Sequence, residues 1–412
     1  GKTPRIALCK LTRSWYEGGI ALPDIELYYW AAQLVPINKL AFLPDVEPAL
    51  RIDRMLVKPE GYLRAIYDKS TTYKLRGPTA TSLRIWHRVQ ARLGWKDVIT
   101  QCTPLWVFPG LSSLRQQYGF DKWDLIGIST MGDLWRGGDV IKWSELREEY
   151  QLAPDEVFRY LQIRHALGKI IPRDTDLAEA SPLESRILQE YLPQKAISII
   201  YKKLLNNEKD PNAQLRQRWE TDLGKMDDDE WADALTSPRE VAIRARFRRI
   251  QLQILHRVYY TPVTRLKMGV ATTDLCTRRC GERGTYLHVL WECEKVQSYW
   301  RQLQEITTEV LGEETILTPK ICLLNIWEPT DLTRPQRTWL TLAMTIAKRN
   351  VARLWGAEHP PKRDEWERDL DWAMLAEKVT YEGRGCPNKW KKIWTGWGTY
   401  RGMACMGEID TE

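Results

Sequence analysis

Residues 237–267 read SPREVAIRARFRRIQLQILHRVYYTPVTRLK, and the character of the chain turns on them. Ser237 as N-cap, Pro238 at the first helical position and Glu240 at the third make a capping box, so a helix is predicted from Ser237 to about Tyr259. Ile243, Phe247, Ile250 and Ile254 recur at helical spacing and turn one face of that helix inward. Arg244 and Arg248 edge the apolar stripe on one side, Arg246 and Arg249 on the other. Arg257, Arg265 and Lys267 follow, and Glu240 is the only acid from 239 to 267. Guanidinium forks match phosphate oxygens, so these seven cations read as a surface for a nucleic-acid backbone. The competing reading is a solvated face, or arginines paired with acids from elsewhere in the fold.

The cationic segment leads into Cys276, Cys280, His288 and Cys293, spaced C-x3-C-x7-H-x4-C. Three thiolates and an imidazole suit a closed tetrahedral zinc site, and Gly281 and Gly284 supply the turn such a site needs. With all four positions taken by protein, the role expected of zinc is structural. The alternative is three buried thiols and a core histidine.

Elsewhere helical patterns prevail and strand alternation is weak, so the expected fold is mainly α: a multi-domain helical array with a small zinc-knuckle-like turn and little sheet. Gly18-Gly19 reads as a turn and Pro23-Asp24 as a helix start. Pro154-Asp155-Glu156 opens another helix, with Phe158, Leu161 and His165 at helical spacing. The polar stretch Asn206–Pro211 is the best domain boundary. Asp227–Glu230 reads as the acidic first turn of a helix rather than a magnesium-binding aspartate pair, because Lys225 precedes Met226 and no strand pattern flanks it. Amphipathic helices are expected over Val296–Leu311, Thr338–Trp355 and Asp364–Val379, the last burying Trp366, Leu370, Ala373 and Met374.

At 412 residues the chain exceeds one ordinary core. Its net charge of +7 is mild, so a nucleic-acid role rests on local clustering of Lys and Arg. Tryptophan, at 20 residues, far outnumbers phenylalanine, at 5, and Trp86, Trp95, Trp106 and Trp123 are read as core. The eight cysteines are mostly scattered, which points to a reducing, intracellular compartment. No apolar run reaches the roughly 18 residues that span a bilayer, so no membrane partner is expected. No nucleophilic triad or dinucleotide loop is recognisable, and neither an enzyme nor a small-molecule substrate is expected. The chain starts Gly1-Lys2-Thr3 and reads as a piece of a longer polypeptide.

Gly18-Gly19-Ile20-Ala21-Leu22-Pro23-Asp24 with Leu27-Tyr28-Tyr29, Ile200-Tyr201-Lys202-Lys203, Arg218-Trp219-Glu220, Tyr260-Thr261-Pro262-Val263 and Cys276 to Trp300 together resemble one family in collinear order. It is the second open-reading-frame protein of vertebrate long interspersed elements, non-LTR retrotransposons, after the reverse transcriptase palm. The resemblance implies residues 1–45 at the end of the thumb, 46–207 as a wrist, and 208–412 as a C-terminal domain holding the basic helix, the CCHC motif and Trp-rich helices. The family's cysteine motif falls on Cys276, Cys280, His288 and Cys293. Thr277 departs from the aromatic often found beside the first cysteine. The endonuclease and palm aspartates have no counterpart. The implied function is non-catalytic: holding template RNA or RNA:DNA hybrid during target-primed reverse transcription, beside the palm of the parent polypeptide, in cytoplasm and nucleus. The alternative is a domesticated or decayed product acting as a protein-interaction scaffold.

Overall fold

Among the described residues of the computed structural model, strands are confined to one hairpin, β1 (Trp135–Arg136) with β2 (Asp139–Val140), closed by Gly137-Gly138 at positive φ. The described residues are 5–42, 51–52, 55, 66–67, 77–95, 98–192, 194–206, 212–241, 244–327 and 332–403. The fold is mainly α. None of the described helices is long and apolar enough to cross a membrane.

The chain divides into two compact units, Pro23–Lys209 and a second that joins Gly1–Leu22 to Asp210–Glu412. In the first, α1 (Ile25–Phe42) packs with α2 (Pro78–Arg92), Pro182–Leu188 and Ala196–Asn206 around Leu27, Trp30, Trp86 and Ile200. The Asn38 amide fastens this core, donating to the Ile187 and Glu190 carbonyls and accepting from Leu192 N–H at 2.7–3.0 Å. A second cluster of the same unit holds Trp106, Trp123, Leu134 and Ile163. Here the helix Val157–Ile170 forms as expected, but Phe158, Leu161 and His165 lie exposed, and Tyr160, Ile163 and Leu167 are buried instead. The two sets are offset by two residues, about 200° around the axis, and so lie on nearly opposite faces; both carry large side chains at helical spacing, and spacing alone does not say which face turns inward.

The first parting of the two units falls between Leu22 and Pro23. Helix α1 is committed to the Pro23–Lys209 core, while the segment before it belongs to the other unit. Gly18-Gly19 explains why. Gly18, at φ +73, brings its carbonyl 2.7 Å from His256 Nε2, and a Cβ on Gly19 would lie 2.1 Å from the Arg13 carbonyl. Asn212 Nδ2 donates to the neighbouring Glu17 carbonyl at 2.7 Å. Burial lowers the His256 imidazole to about 4, so the neutral ring donates through Nε2–H. Between pH 6.5 and 4 the unfolded chain therefore binds a proton that the folded chain refuses, and stability falls as pH falls through that window. Relative to His256→Gln, the wild type is expected to lose about 3 kcal/mol from pH 7 to pH 4. Paired denaturation curves at the two pH values measure this, and parallel losses in both proteins would refute it.

In the second unit Asp227 caps α3 (Asp228–Glu240), whose Glu230 returns the bond to Asp227 N–H. The helix start predicted at Ser237 is corrected: Ser237 and Pro238 lie inside α3. Pro238 has no N–H for the Ala234 carbonyl, and the Ser237 hydroxyl donates to that carbonyl instead, at 2.8 Å. The cationic segment is thus two elements, α3 ending at Glu240 and α4 (Ala245–Leu255), rather than one helix to Tyr259. Ile243 falls outside the described residues. Phe247, Ile250 and Ile254 face the core as expected.

Beyond α4 come α5 (Pro262–Lys267), α6 (Glu294–Leu311), α7 (Arg334–Arg353), α8 (Arg363–Gly383) and α9 (Pro387–Tyr400). Trp366, Leu370, Ala373 and Met374 are buried on α8, as their spacing requires. Several indoles also give their N–H to a neighbouring carbonyl: Trp219 to Leu255, Trp300 to Leu290, Trp366 to Ala343 and Trp390 to Met374, at 2.8–3.0 Å. Each fills core volume while satisfying a buried polar atom, which accounts for tryptophan standing where phenylalanine could not.

Candidate metal centre and the cationic surface

The first two cysteines sit on a tight hairpin. Leu275 bridges Arg283, Cys276 N–H donates to the Glu282 carbonyl at 2.8 Å, and Gly284 N–H to the Asp274 carbonyl at 2.8 Å. Arg279 and Gly281 turn the chain through positive φ, at 56° and 87°. At Gly284 a Cβ would come within 2.5 Å of Pro262 Cγ, so only glycine lets the hairpin seat against the start of α5.

The other two ligands flank a π-turn, His288–Glu292, in which Cys293 N–H reaches the His288 carbonyl at 2.9 Å. In an α-helix, positions five apart point away from each other; the wider turn and the extended ψ of Cys293 bring both inward. Cys293 then stands at the N-terminus of α6, where unpaired amides favour negative charge.

The ligand atoms of Cys276, Cys280, His288 and Cys293 all lie within 4.8 Å of one another, with Cys280 Sγ 3.3 Å from His288 Nε2. This cluster could hold a metal ion. Burial, with the neighbouring Cys293 and Cys280, pushes Cys276 up to about 11 in the absence of metal, although the Arg278 backbone N–H opposes it. Metal and protons therefore compete for the same sulfur.

Arg278 provides an independent test of fit. It lies inside the hairpin at 0% exposure; Nη1 donates to the Val289 carbonyl at 2.9 Å, but Nε and Nη2 have no partner. A buried guanidinium without a counter-charge is costly. Three thiolates and one neutral imidazole around a divalent cation carry net charge −1, which is the missing counter-charge. The donor set and the orphaned cation fit a bound metal.

The seven predicted phosphate contacts separate into two groups. Arg246, Arg249, Arg265 and Lys267 are exposed. Arg257 is taken by the fold: it pairs with Asp222 at 2.5 Å, donates to the Arg218 carbonyl, and lies between the Trp219 and Tyr286 rings. Arg244 stacks on Trp372 at 4.4 Å and acts on the buried Glu377 carboxyl, and Arg248 is half-buried with an intramolecular partner. Sequence reasoning missed Arg5, exposed over the half-exposed Tyr260 ring at 5.4 Å; with Arg249 it lies close enough to lower the neighbouring Tyr259 hydroxyl against the effect of burial. No local signal marks Arg5, because only the fold carries it to this surface. Thr277 makes no ring contact; its hydroxyl donates to the Trp355 carbonyl at 3.5 Å.

No protein-family model matches the chain.

Proposed function

We propose that this chain is a non-catalytic, nucleic-acid-holding part of a retrotransposon reverse transcriptase of the long interspersed element type. It grips template RNA or RNA:DNA hybrid beside the palm of its parent polypeptide. The observation that carries the reading is the exposed set Arg246, Arg249, Arg265, Lys267 and Arg5, none of them in an ion pair among the described residues, next to the Cys276–Cys293 centre. The collinear sequence resemblance supplies the parent family. The metal we assign is zinc, because three thiolates and an imidazole in a closed set suit it, and its role is to fix the hairpin that follows the cationic surface.

Phosphate contact makes the reading testable. Changing Arg246, Arg249, Arg265 and Lys267 together to Ala is expected to lower the slope of log affinity against log salt by about 2.8 for a single-stranded RNA, at about 0.7 per contact. Fluorescence anisotropy between roughly 50 and 200 mM salt measures it. Wild-type affinity that does not change over that range, or that survives the fourfold substitution, would overturn the proposal.

A further inference from the structure

A cleft of about 550 Å³ opens in the unit formed by Gly1–Leu22 and Asp210–Glu412, between α3, the turn after Leu324, the start of α7 and the start of α9. Its lining shares no residue with the metal centre or with the seven cations considered above. Arg334, Lys389 and Lys392 line it, are exposed, and have no side-chain partner among the described residues. Trp327, half-buried, and Tyr381 supply aromatic wall. Two carboxylates, Asp233 and Glu240, stand on the α3 side, so the cationic edge is the one made by α7 and α9.

The floor adds an independent sign. Asn325, 5% exposed, accepts from Lys348 Nζ through Oδ1 at 3.2 Å. The Asn325 amide thus turns Oδ1 to Lys348 and leaves Nδ2 on its other side. That Nδ2 has no partner. Lys348 itself is wholly buried, bonded to the Gln251 side chain and the Leu323 carbonyl, with no carboxylate among its partners. The cleft thus combines a rim of cations, Arg334, Lys389 and Lys392, with an unpartnered amide nitrogen buried beneath its lining at Asn325. These groups call for an anion.

We propose that this cleft holds one phosphodiester-linked nucleotide of a single-stranded nucleic acid, with its phosphate toward Arg334, Lys389 and Lys392 and its base against Trp327. The volume suits a nucleotide, and aromatic stacking accepts any base. A strand is favoured over a free nucleotide because it can make this contact together with those of the cationic surface. The inference rests on the nucleic-acid reading above and gives it a second point of grip.

The test uses the full 412-residue chain and a short fluorescein-labelled RNA. Lys389→Glu with Lys392→Glu is expected to weaken binding at least about tenfold and to lower the salt slope by about 1.4, two contacts at about 0.7 each. Lys169→Glu, an exposed lysine of the other unit, is expected to change neither. Photo-crosslinking of a 5-bromouridine RNA is expected to label the peptide containing Trp327, and excess inorganic phosphate or adenosine monophosphate is expected not to prevent it. If the double variant binds and crosslinks like wild type while the Arg246, Arg249, Arg265 and Lys267 substitutions weaken binding, the cleft is refuted and the cationic surface stands. If neither set weakens binding, both proposals fall. Displacement of the crosslink by phosphate or the mononucleotide would make this a small-anion site and overturn the assigned occupant.

Discussion

Replacing Cys276 and Cys280 together with Ser is expected to reduce bound zinc from about one ion per chain to none and to open residues 270–300 to hydrogen exchange. The effect is large because the ligands are not appended to the fold. Cys276 and Cys293 belong to the same buried cluster as Tyr286, Leu287, Leu290, Val296 and Trp300. Structural zinc contributes on the order of 10 kcal/mol to small folded sites at neutral pH. Losing it releases the hairpin, the π-turn and the start of α6 together. Arg278→Met supplies a second arm, since a methionine occupies the buried volume without the charge. If Arg278 balances an anionic metal complex, this variant stays folded but binds zinc about 10- to 100-fold more weakly, the scale of an outer-shell loss. Competition with a chromogenic chelator reads the affinity. A wild-type chain purified without chelator and free of zinc would defeat the assignment, and an Arg278→Met protein with unchanged affinity would defeat the counter-charge argument.

Trp397→Ala is expected to destabilise the same unit by about 4 kcal/mol, lowering its melting temperature by roughly 10 °C. Trp397 is fully buried, with ring centroids 5.6 Å from Trp366 and 5.9 Å from Trp339, and its Nε1 donates to Asp371 at 2.9 Å. Truncation leaves both a void among α7, α8 and α9 and a carboxylate that has lost a donor. Trp372→Ala is the contrast: that ring is 55% exposed and holds only the Arg244 guanidinium, so its loss should cost about 1 kcal/mol or less. Equal effects from the two substitutions would mean that core filling is not what these tryptophans do.

Local chemistry made much of this legible in advance. The acidic turn at Asp227 and the buried face of α8 are written in short-range spacing, and the structure carries both. The four metal-centre residues were legible because thiols and imidazole at those intervals have few other uses. What escaped depended on partners far along the chain. The Ser237-Pro238 pair carries every local mark of a helix start, yet Ser237 serves as the donor that lets a helix pass through the proline, and nothing in the pair says which. Arg257 resembles its neighbours in sequence and becomes a core residue only because Asp222 and Trp219 come to meet it. Lys348 is buried against Gln251 and Asn325, which no periodicity connects to it.

The two-unit division also has a consequence for how the polypeptide is made. Residues 5–22 must wait for His256 before Gly18 has its partner, so more than 200 residues intervene between the two. At about 5–20 residues per second the leading segment stays unclasped for roughly 10 seconds or more, while Pro23–Lys209 can already condense behind it. The unit that joins Gly1–Leu22 to Asp210–Glu412 is therefore completed last. A chain shortened to begin at residue 46 would lose both the helix α1 on which the Pro23–Lys209 core is built and the Gly18 partner of His256.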